Sequence, residues 1–189
     1  MGFSHSWIAV RGLTPERTLE ALGMEVRAVI EPDYFPSGIA MGQWSDDWLI
    51  ILTVRRASAF EGDLVGLAKF GAAVACEINE HVMYSEARGY DDGAEVWRVS
   101  YDCERDGDQL KVTGDVPHQF EAIVNRCRTQ QDANDDADYM FEAPALLAKS
   151  ICGFLLGDPE PDGFRYSELR KIGEPERRPG FLARFFGRG

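Results

Sequence analysis

The stretch from residue 72 to residue 113 constrains the fold most strongly, because four short runs follow one another with turn signals between them. Asp91-Asp92-Gly93 and Asp106-Gly107-Asp108 are the two Asp-Gly signals. Asp-Gly between alternating or β-branched runs is typical of antiparallel hairpins. The runs AAVACEI, HVMYSEA, AEVWRVSY and QLKV therefore predict an antiparallel meander, on which the other elements pack.

The third of these runs indicates which side of the sheet is the core. Trp97, Val99 and Tyr101 alternate with Val96, Arg98 and Ser100. Successive side chains of a strand point to opposite faces. We expect the aromatic face to be buried and Arg98 to lie on the other face.

The remaining elements indicate an α+β fold. Residues 48–54 form a continuous apolar run, which predicts a central strand buried on both faces. Thr14 as N-cap, Pro15 and Gly23 delimit a short helix, and the spacing of apolar residues after Pro117 predicts a longer one. The expected fold is a mainly antiparallel sheet, with the meander of 72–113 and strand 48–54, and with helices packed on one face.

The amino-acid composition of the chain changes near residue 157, after which proline and glycine become frequent. We expect residues 1–157 to form a single α+β domain and residues 158–189 to form a Pro/Gly-rich basic tail with a short aromatic segment. Residues 164–189 contain seven basic and three acidic side chains, a charge of +4, which leaves −16 for residues 1–163.

The charge of the whole chain limits its partners. Its net charge of −12 disfavours nucleic acid and favours a basic protein partner. The four cysteines have no spacing typical of zinc ligands. No apolar run approaches the roughly 18 residues of a membrane-spanning helix, and no export signal is present. We therefore expect a cytoplasmic protein. The sequence leaves its oligomeric state open, including a homo-oligomer.

Catalytic and cofactor signatures are absent from the sequence. Nucleophile elbows and phosphate-binding glycine loops are not found. The acidic stretch that begins at Asp132 has Ala137 and Ala143 where a calcium loop needs glycine and glutamate. We predict no metal, no cofactor and no catalytic residue, which favours a non-enzymatic role without deciding it.

Five residues are candidates for binding. His81 and Arg98 belong to the predicted meander, where nearby carboxylates and aromatic rings favour a pocket beside it. The tail adds an aromatic cluster that could dock in a groove or, less favourably, touch a membrane. Its candidate residues are Phe181, Phe185 and Phe186.

Several segments resemble a family of small bacterial cytosolic proteins of uncharacterised function. The segments are 80–85 (EHVMYS), 97–99 (WRV), 101–102 (YD), 138–144 (DYMFEAP), 147–149 (LAK) and 153–154 (GF). The resemblance covers about residues 5–158 and leaves the basic tail outside it. It implies a bacterial cytosolic protein and brings no activity or site residue.

Two functional hypotheses follow. The first is an acidic interaction protein that binds a basic protein, for example an immunity-type protein that neutralises a cationic toxin or an accessory factor. The alternative is a small-molecule-binding domain or enzyme whose pocket beside the meander uses His81 or Arg98. An exposed acidic surface favours the first, and an enclosed pocket with a charged group favours the second.

Overall fold

One large antiparallel sheet forms the centre of the molecule. The structure is a computed structural model that describes residues 4–30, 38–53, 61–106, 110–134 and 137–173. Nine strands lie in the order β2-β9-β3-β4-β1-β5-β6-β7-β8, and every neighbouring pair is antiparallel. The strands are β1 (Ser4–Arg11), β2 (Met24–Ile30), β3 (Ile39–Gln43), β4 (Trp48–Thr53), β5 (Ala73–Asn79), β6 (Tyr84–Asp91), β7 (Ala94–Asp102), β8 (Leu110–Gly114) and β9 (Tyr166–Lys171).

The helices in the described part of the chain lie between these strands in sequence. They are α1 (Pro15–Leu22), α2 (Glu61–Ala68), α3 (Cys103–Asp106), α4 (Gln119–Ala133), a 3-10 helix (Tyr139–Glu142) and α5 (Ala143–Cys152). Cap residues delimit α1 as predicted: the Thr14 side chain accepts a hydrogen bond from the Arg17 N–H, and Gly23 adopts φ 61°. A glycine suits this left-handed conformation because it has no Cβ.

Apolar side chains on both faces of the sheet form two cores. On the first face, which we call the α4–α5 face, Trp7, Val99 and Tyr101 pack with Cys127 and Leu147 of the long helices. On the second, the α1–α2 face, the core contains Ile8, Ile51, Leu64, Leu67 and their neighbours. Strand β4 contributes to both cores and is buried along its whole length.

The α+β class and the mainly antiparallel sheet are confirmed. Strands β5, β6, β7 and β8 form the predicted meander, and β4 is the predicted doubly buried strand. The longer helices α4 and α5 pack on one face, as expected. The short helices α1 and α2 cover part of the opposite face, because residues such as Ile8 and Ile51 give the central strands a second apolar surface.

The segment assigned to the basic tail contributes a strand to the sheet. Residues 166–171 form β9, which pairs with β2 on one side and with β3 on the other. Tyr166 packs in the core of the α4–α5 face and Leu169 in the core of the α1–α2 face. The boundary drawn at residue 157 therefore separates one strand from its sheet. Ser167 and Glu168 lie between Tyr166 and Leu169 and interrupt the apolar alternation that would indicate a strand in the sequence.

Candidate functional site

His81 does not lie in a strand. Strand β5 ends at Asn79 and β6 begins at Tyr84, so His81 lies in the connecting turn with its side chain exposed. The His81 N–H donates to Asn79 Oδ1, and Met83 has a φ of 47°. The prediction of a strand through residue 81 is wrong because this local turn replaces the ladder hydrogen bonds.

Arg98 belongs to a cluster of ionised groups on the α1–α2 face of the meander. We call this group, formed by Glu77, Glu86, Arg88, Glu95 and Arg98, the charged cluster. The antiparallel register places Glu77 opposite Glu86, and Arg88 opposite Arg98. Glu77, Glu86 and Arg88 are buried. Strands β5 and β6 therefore have charged side chains on the face where β1 and β4 have the apolar side chains of the core.

The buried members of the charged cluster are held by an ion pair. The Arg88 guanidinium contacts Glu86 through both Nε and Nη2. Arg98 Nη1 lies 3.9 Å from the second Glu86 oxygen. A buried carboxylate is costly unless it is paired and hydrogen-bonded, and these two guanidinium groups supply that pairing.

The outer edge of the charged cluster reaches solvent at Arg98. Its Nε and Nη2 donate to the two oxygens of Glu95, at 3.0 Å and 2.7 Å. The Arg98 side chain is 36% exposed. The predicted binding residue is thus already engaged by two carboxylates, Glu95 and Glu86.

The electrostatics of the charged cluster act on neighbouring groups. Burial first, and then the negative charge of Glu86, raises the pKa of Tyr84. Burial opposes the charge of Arg88, but the attraction of Glu86 and hydrogen bonds to Tyr90 and Glu86 outweigh it and raise the pKa of Arg88. Tyr84 is therefore neutral and Arg88 charged at physiological pH.

A second surface lies at one end of the sheet, where exposed aspartates gather. We call it the acidic rim, and it is formed by Asp46, Asp47, Asp91, Asp92 and Asp115. Asp46 and Asp47 follow β3, Asp91 ends β6, Asp92 begins the turn to β7, and Asp115 follows β8. In an antiparallel sheet these positions fall at the same end, because β3, β6 and β8 run in the same direction.

The local backbone positions the acidic rim. The Asp92 N–H donates to Asp91 Oδ1, and Asp92 and Gly93 have positive φ angles of 45° and 73°, as a tight hairpin turn requires. The Asp115 N–H donates to the carbonyl of Val96, which holds Asp115 beside the start of β7. The rim spans seven strands, from β3 to β8, and the six spacings between them give a length of about 29 Å at the usual strand spacing.

Two cations also lie at this end of the sheet. Arg11 pairs with Asp47 at 3.9 Å, and both side chains are more than half exposed. The Lys69 side chain packs against Gly93 of the β6–β7 turn. Five aspartates against these two cations leave the rim negatively charged.

A third feature is an open groove between α4 and α5, with a volume of about 510 Å³. Helix α4 contributes residues at positions i, i+3, i+4 and i+7, and α5 does the same, so one stripe of each helix forms a wall. The lining residues are Gln119, Ala122, Ile123 and Arg126 on α4, Leu146, Lys149 and Ser150 on α5, and Gly153, which caps the C-terminus of α5.

The remaining site expectations have separate outcomes. Phe181, Phe185 and Phe186 lie outside the described residues. In the described ranges no group of three or more His, Cys, Asp or Glu side chains is placed to hold a metal ion. The described helices include none with the length and apolar character to cross a membrane. Of the cysteines, Cys76, Cys127 and Cys152 are buried, whereas Cys103 is exposed.

Most of these features leave little trace in the sequence. Glu86 and Arg88 alternate with Ser85 and Ala87, a polar–small pattern that could have indicated a charged face on β6. The residues that line the groove have helical spacing in the sequence. This spacing does not indicate which two helices pack against each other. The rim could not be found, because its members come from three separate turns.

Comparisons with known proteins do not assign this chain to a family. No family model matches it, and neither the curated proteins nor the solved structures contain a significant match. The resemblance to small bacterial cytosolic proteins is therefore unsupported by any of these three comparisons.

Proposed function

We propose that this chain is an interaction protein whose acidic rim binds a basic protein partner. The observation that carries the proposal is the convergence of three turns, each bearing exposed aspartates, at one end of the sheet. Complementary surface charge accelerates association and selects the partner. The net charge of −12 adds a long-range attraction for a positively charged partner.

The size of the acidic rim suits a protein rather than a small ligand. Its length of about 29 Å matches the width of a standard protein–protein interface, roughly 800 Å² on each partner. The members of the rim are spread over seven strands and do not surround one position that a small ligand could occupy. A partner with several spaced lysine or arginine side chains could contact them together.

Within this class, an immunity-type protein or an accessory factor fits best. An inhibitor of a cationic toxin needs a preformed, strongly negative surface on a rigid scaffold. The hairpin turns of a nine-stranded sheet provide such a scaffold. A bacterial cytoplasmic setting belongs to this proposal.

The alternative, a small-molecule site beside the meander using His81 or Arg98, has less support. His81 is exposed in a turn, and Arg98 is already paired with Glu95 and Glu86. A ligand that recruited Arg98 would have to replace those carboxylates.

A charge-neutralising variant tests the acidic rim. We would retain partners from lysate on the wild-type chain and on the triple variant Asp46→Asn, Asp91→Asn, Asp115→Asn. Asparagine keeps the size of the side chain and its ability to accept a hydrogen bond. A matched control, Glu20→Gln, Glu104→Gln, Asp132→Asn, removes three exposed charges elsewhere and changes the net charge equally.

The proposal expects a stoichiometric basic protein that is lost at high salt and from the rim variant, and retained by the control. An equal loss of the partner from both variants would show that net charge, and not the rim, attracts it, and full retention by the rim variant would contradict the proposal. Retention that does not change with salt would count against electrostatic binding altogether.

A shortened chain tests the aromatic tail separately. Ending the chain at Gly173 keeps β9 and removes Phe181, Phe185 and Phe186. If the tail is the contact, the partner is lost from this chain while the folded domain is retained. If the rim is the contact, retention is unchanged.

A further inference from the structure

The groove between α4 and α5 differs in charge from the rest of the molecule. It carries two cationic side chains, Arg126 and Lys149, in a chain whose net charge is −12. Arg126 is exposed and makes no ion pair with any other described residue. Lys149 pairs with Asp158 at 2.7 Å and keeps 40% of its side chain exposed.

The middle of the groove is apolar. Ala122 and Ile123 form one wall and Leu146 part of the other. The volume of about 510 Å³ lies within the range of small-molecule sites, roughly 300–1,000 Å³. Apolar walls with a few convergent polar groups are the usual composition of such sites.

The end of the groove opposite Arg126 has an unsatisfied acceptor. Gln119 Oε1 is buried and accepts no hydrogen bond from the described residues. A buried polar atom without a partner is destabilising, so a rotation of the half-buried Gln119 side chain that brings this oxygen to a donor of a bound molecule would relieve it. Gln119 and Arg126 are seven residues apart on α4, which is a distance of roughly 10 Å along the helix.

We propose that this groove binds a small organic anion with an apolar middle and a hydrogen-bond donor at its far end. The carboxylate or phosphate of such a molecule pairs with Arg126 and with the exposed side of Lys149. Its apolar part covers Ala122, Ile123 and Leu146. Its terminal hydroxyl or amide donates to Gln119 Oε1.

This site is independent of the acidic rim. The eight residues that line the groove include none of the five rim aspartates. Failure of one proposal therefore leaves the other in place.

The test is a titration of the full chain with three eight-carbon probes, followed by backbone NMR. The probes are ω-hydroxyoctanoate, octanoate and octanediol, which differ in charge and in terminal donor but share an apolar middle. We expect saturable shifts at Ala122, Ser150 and their neighbours, with affinity in the order in which the probes are named. The removal of the carboxylate in octanediol should weaken binding about tenfold or more.

Two matched variants locate the anion. Arg126→Gln should weaken octanoate binding about tenfold, because it removes a charge-assisted hydrogen bond. Arg128→Gln removes an equally exposed guanidinium that is not part of the groove, and it should bind as the wild type does. Gln119→Leu should remove the advantage of ω-hydroxyoctanoate over octanoate.

Three results would overturn the proposal. They are the absence of saturable shifts with either anion, equal affinity for octanediol and octanoate, and shifts that fall outside α4 and α5. An equal loss of affinity in Arg126→Gln and Arg128→Gln would also contradict it, since that result would reflect net charge alone.

Discussion

At the scale of the residue, the clearest packing constraint is the contact between Trp97 and Gly89. The two residues face each other across β6 and β7, and a Cβ on Gly89 would lie 2.0 Å from Trp97 Nε1. The indole ring therefore occupies the space that a larger residue would need. Trp97 is 6% exposed and belongs to the α4–α5 core, whereas its neighbour Val96 is 41% exposed and is not a member of either core.

Replacing Trp97 by Ala should lower the free energy of unfolding by about 3–5 kcal/mol, because it removes buried surface and leaves a cavity. Val96→Ala is the matched control and should cost less than about 1 kcal/mol. Chemical denaturation of both variants gives the comparison. A near-neutral Trp97→Ala would mean that the aromatic face of β7 is not the core side.

Glu86 and Arg88 form a buried ion pair, so the loss of either charge should affect the free energy of unfolding. Arg88→Met should destabilise the protein by about 3–5 kcal/mol, since it leaves a buried carboxylate without its closest cation. The control Arg105→Met breaks the pair with Asp102 at a site that is 85% exposed, so its effect should be below about 1 kcal/mol.

A second change separates the charge from the packing at this site. Adding Glu86→Gln to Arg88→Met should recover part of the lost stability, because the amide needs no counter-ion. If the double variant is less stable than Arg88→Met, the loss comes from packing and not from an unpaired charge.

At the scale of the element, sequence signals worked where a feature is local. The limits of α1 follow from Thr14, Pro15 and Gly23, whose effects act through the backbone of the helix itself. The turn at Asp92-Gly93 follows from two residues that tolerate positive φ. The turn around His81 was missed, because the run from residue 81 to residue 87 also reads as a strand.

Thr14→Ala should destabilise the protein by about 1 kcal/mol, since the Arg17 N–H loses its acceptor at the start of α1. Thr129→Ala in α4 is a suitable control: its hydroxyl donates to the Asn125 carbonyl inside the helix, and alanine should be neutral or slightly stabilising there. Thermal unfolding of the two variants measures the difference. Equal effects at both sites would mean that the cap contributes nothing specific.

At the scale of the whole molecule, β9 links the two halves of the chain. It lies between β2 and β3, which are sequence neighbours that do not pair with each other. Partly buried ion pairs support the contact with β2, including Arg170 with Glu25 at 2.7 Å. Without β9, β2 would have no partner in the described sheet.

A chain that ends at Pro161 should therefore be strongly destabilised, whereas a chain that ends at Gly173 should unfold like the full-length protein. The first removes Tyr166 and Leu169 from the two cores, and the second keeps all nine strands of the described sheet. Unfolding midpoints and hydrogen exchange at β2 test this expectation. Similar stability of the two shortened chains would show that β9 is dispensable.

The sequence by itself determined the meander, the doubly buried β4, the buried aromatic face of β7 and the limits of α1. Each of these depends on residues close together in the chain, through side-chain alternation, turn chemistry or capping. The charge balance that favours a basic partner was also available from composition alone.

Only the tertiary structure decided the place of β9, the charged cluster around Glu86, the acidic rim and the groove between α4 and α5. These features join residues that are far apart in sequence, and strand order and register bring them together. Local propensity carries no information about which strand or helix becomes a neighbour, because that choice depends on how the whole apolar surface is buried.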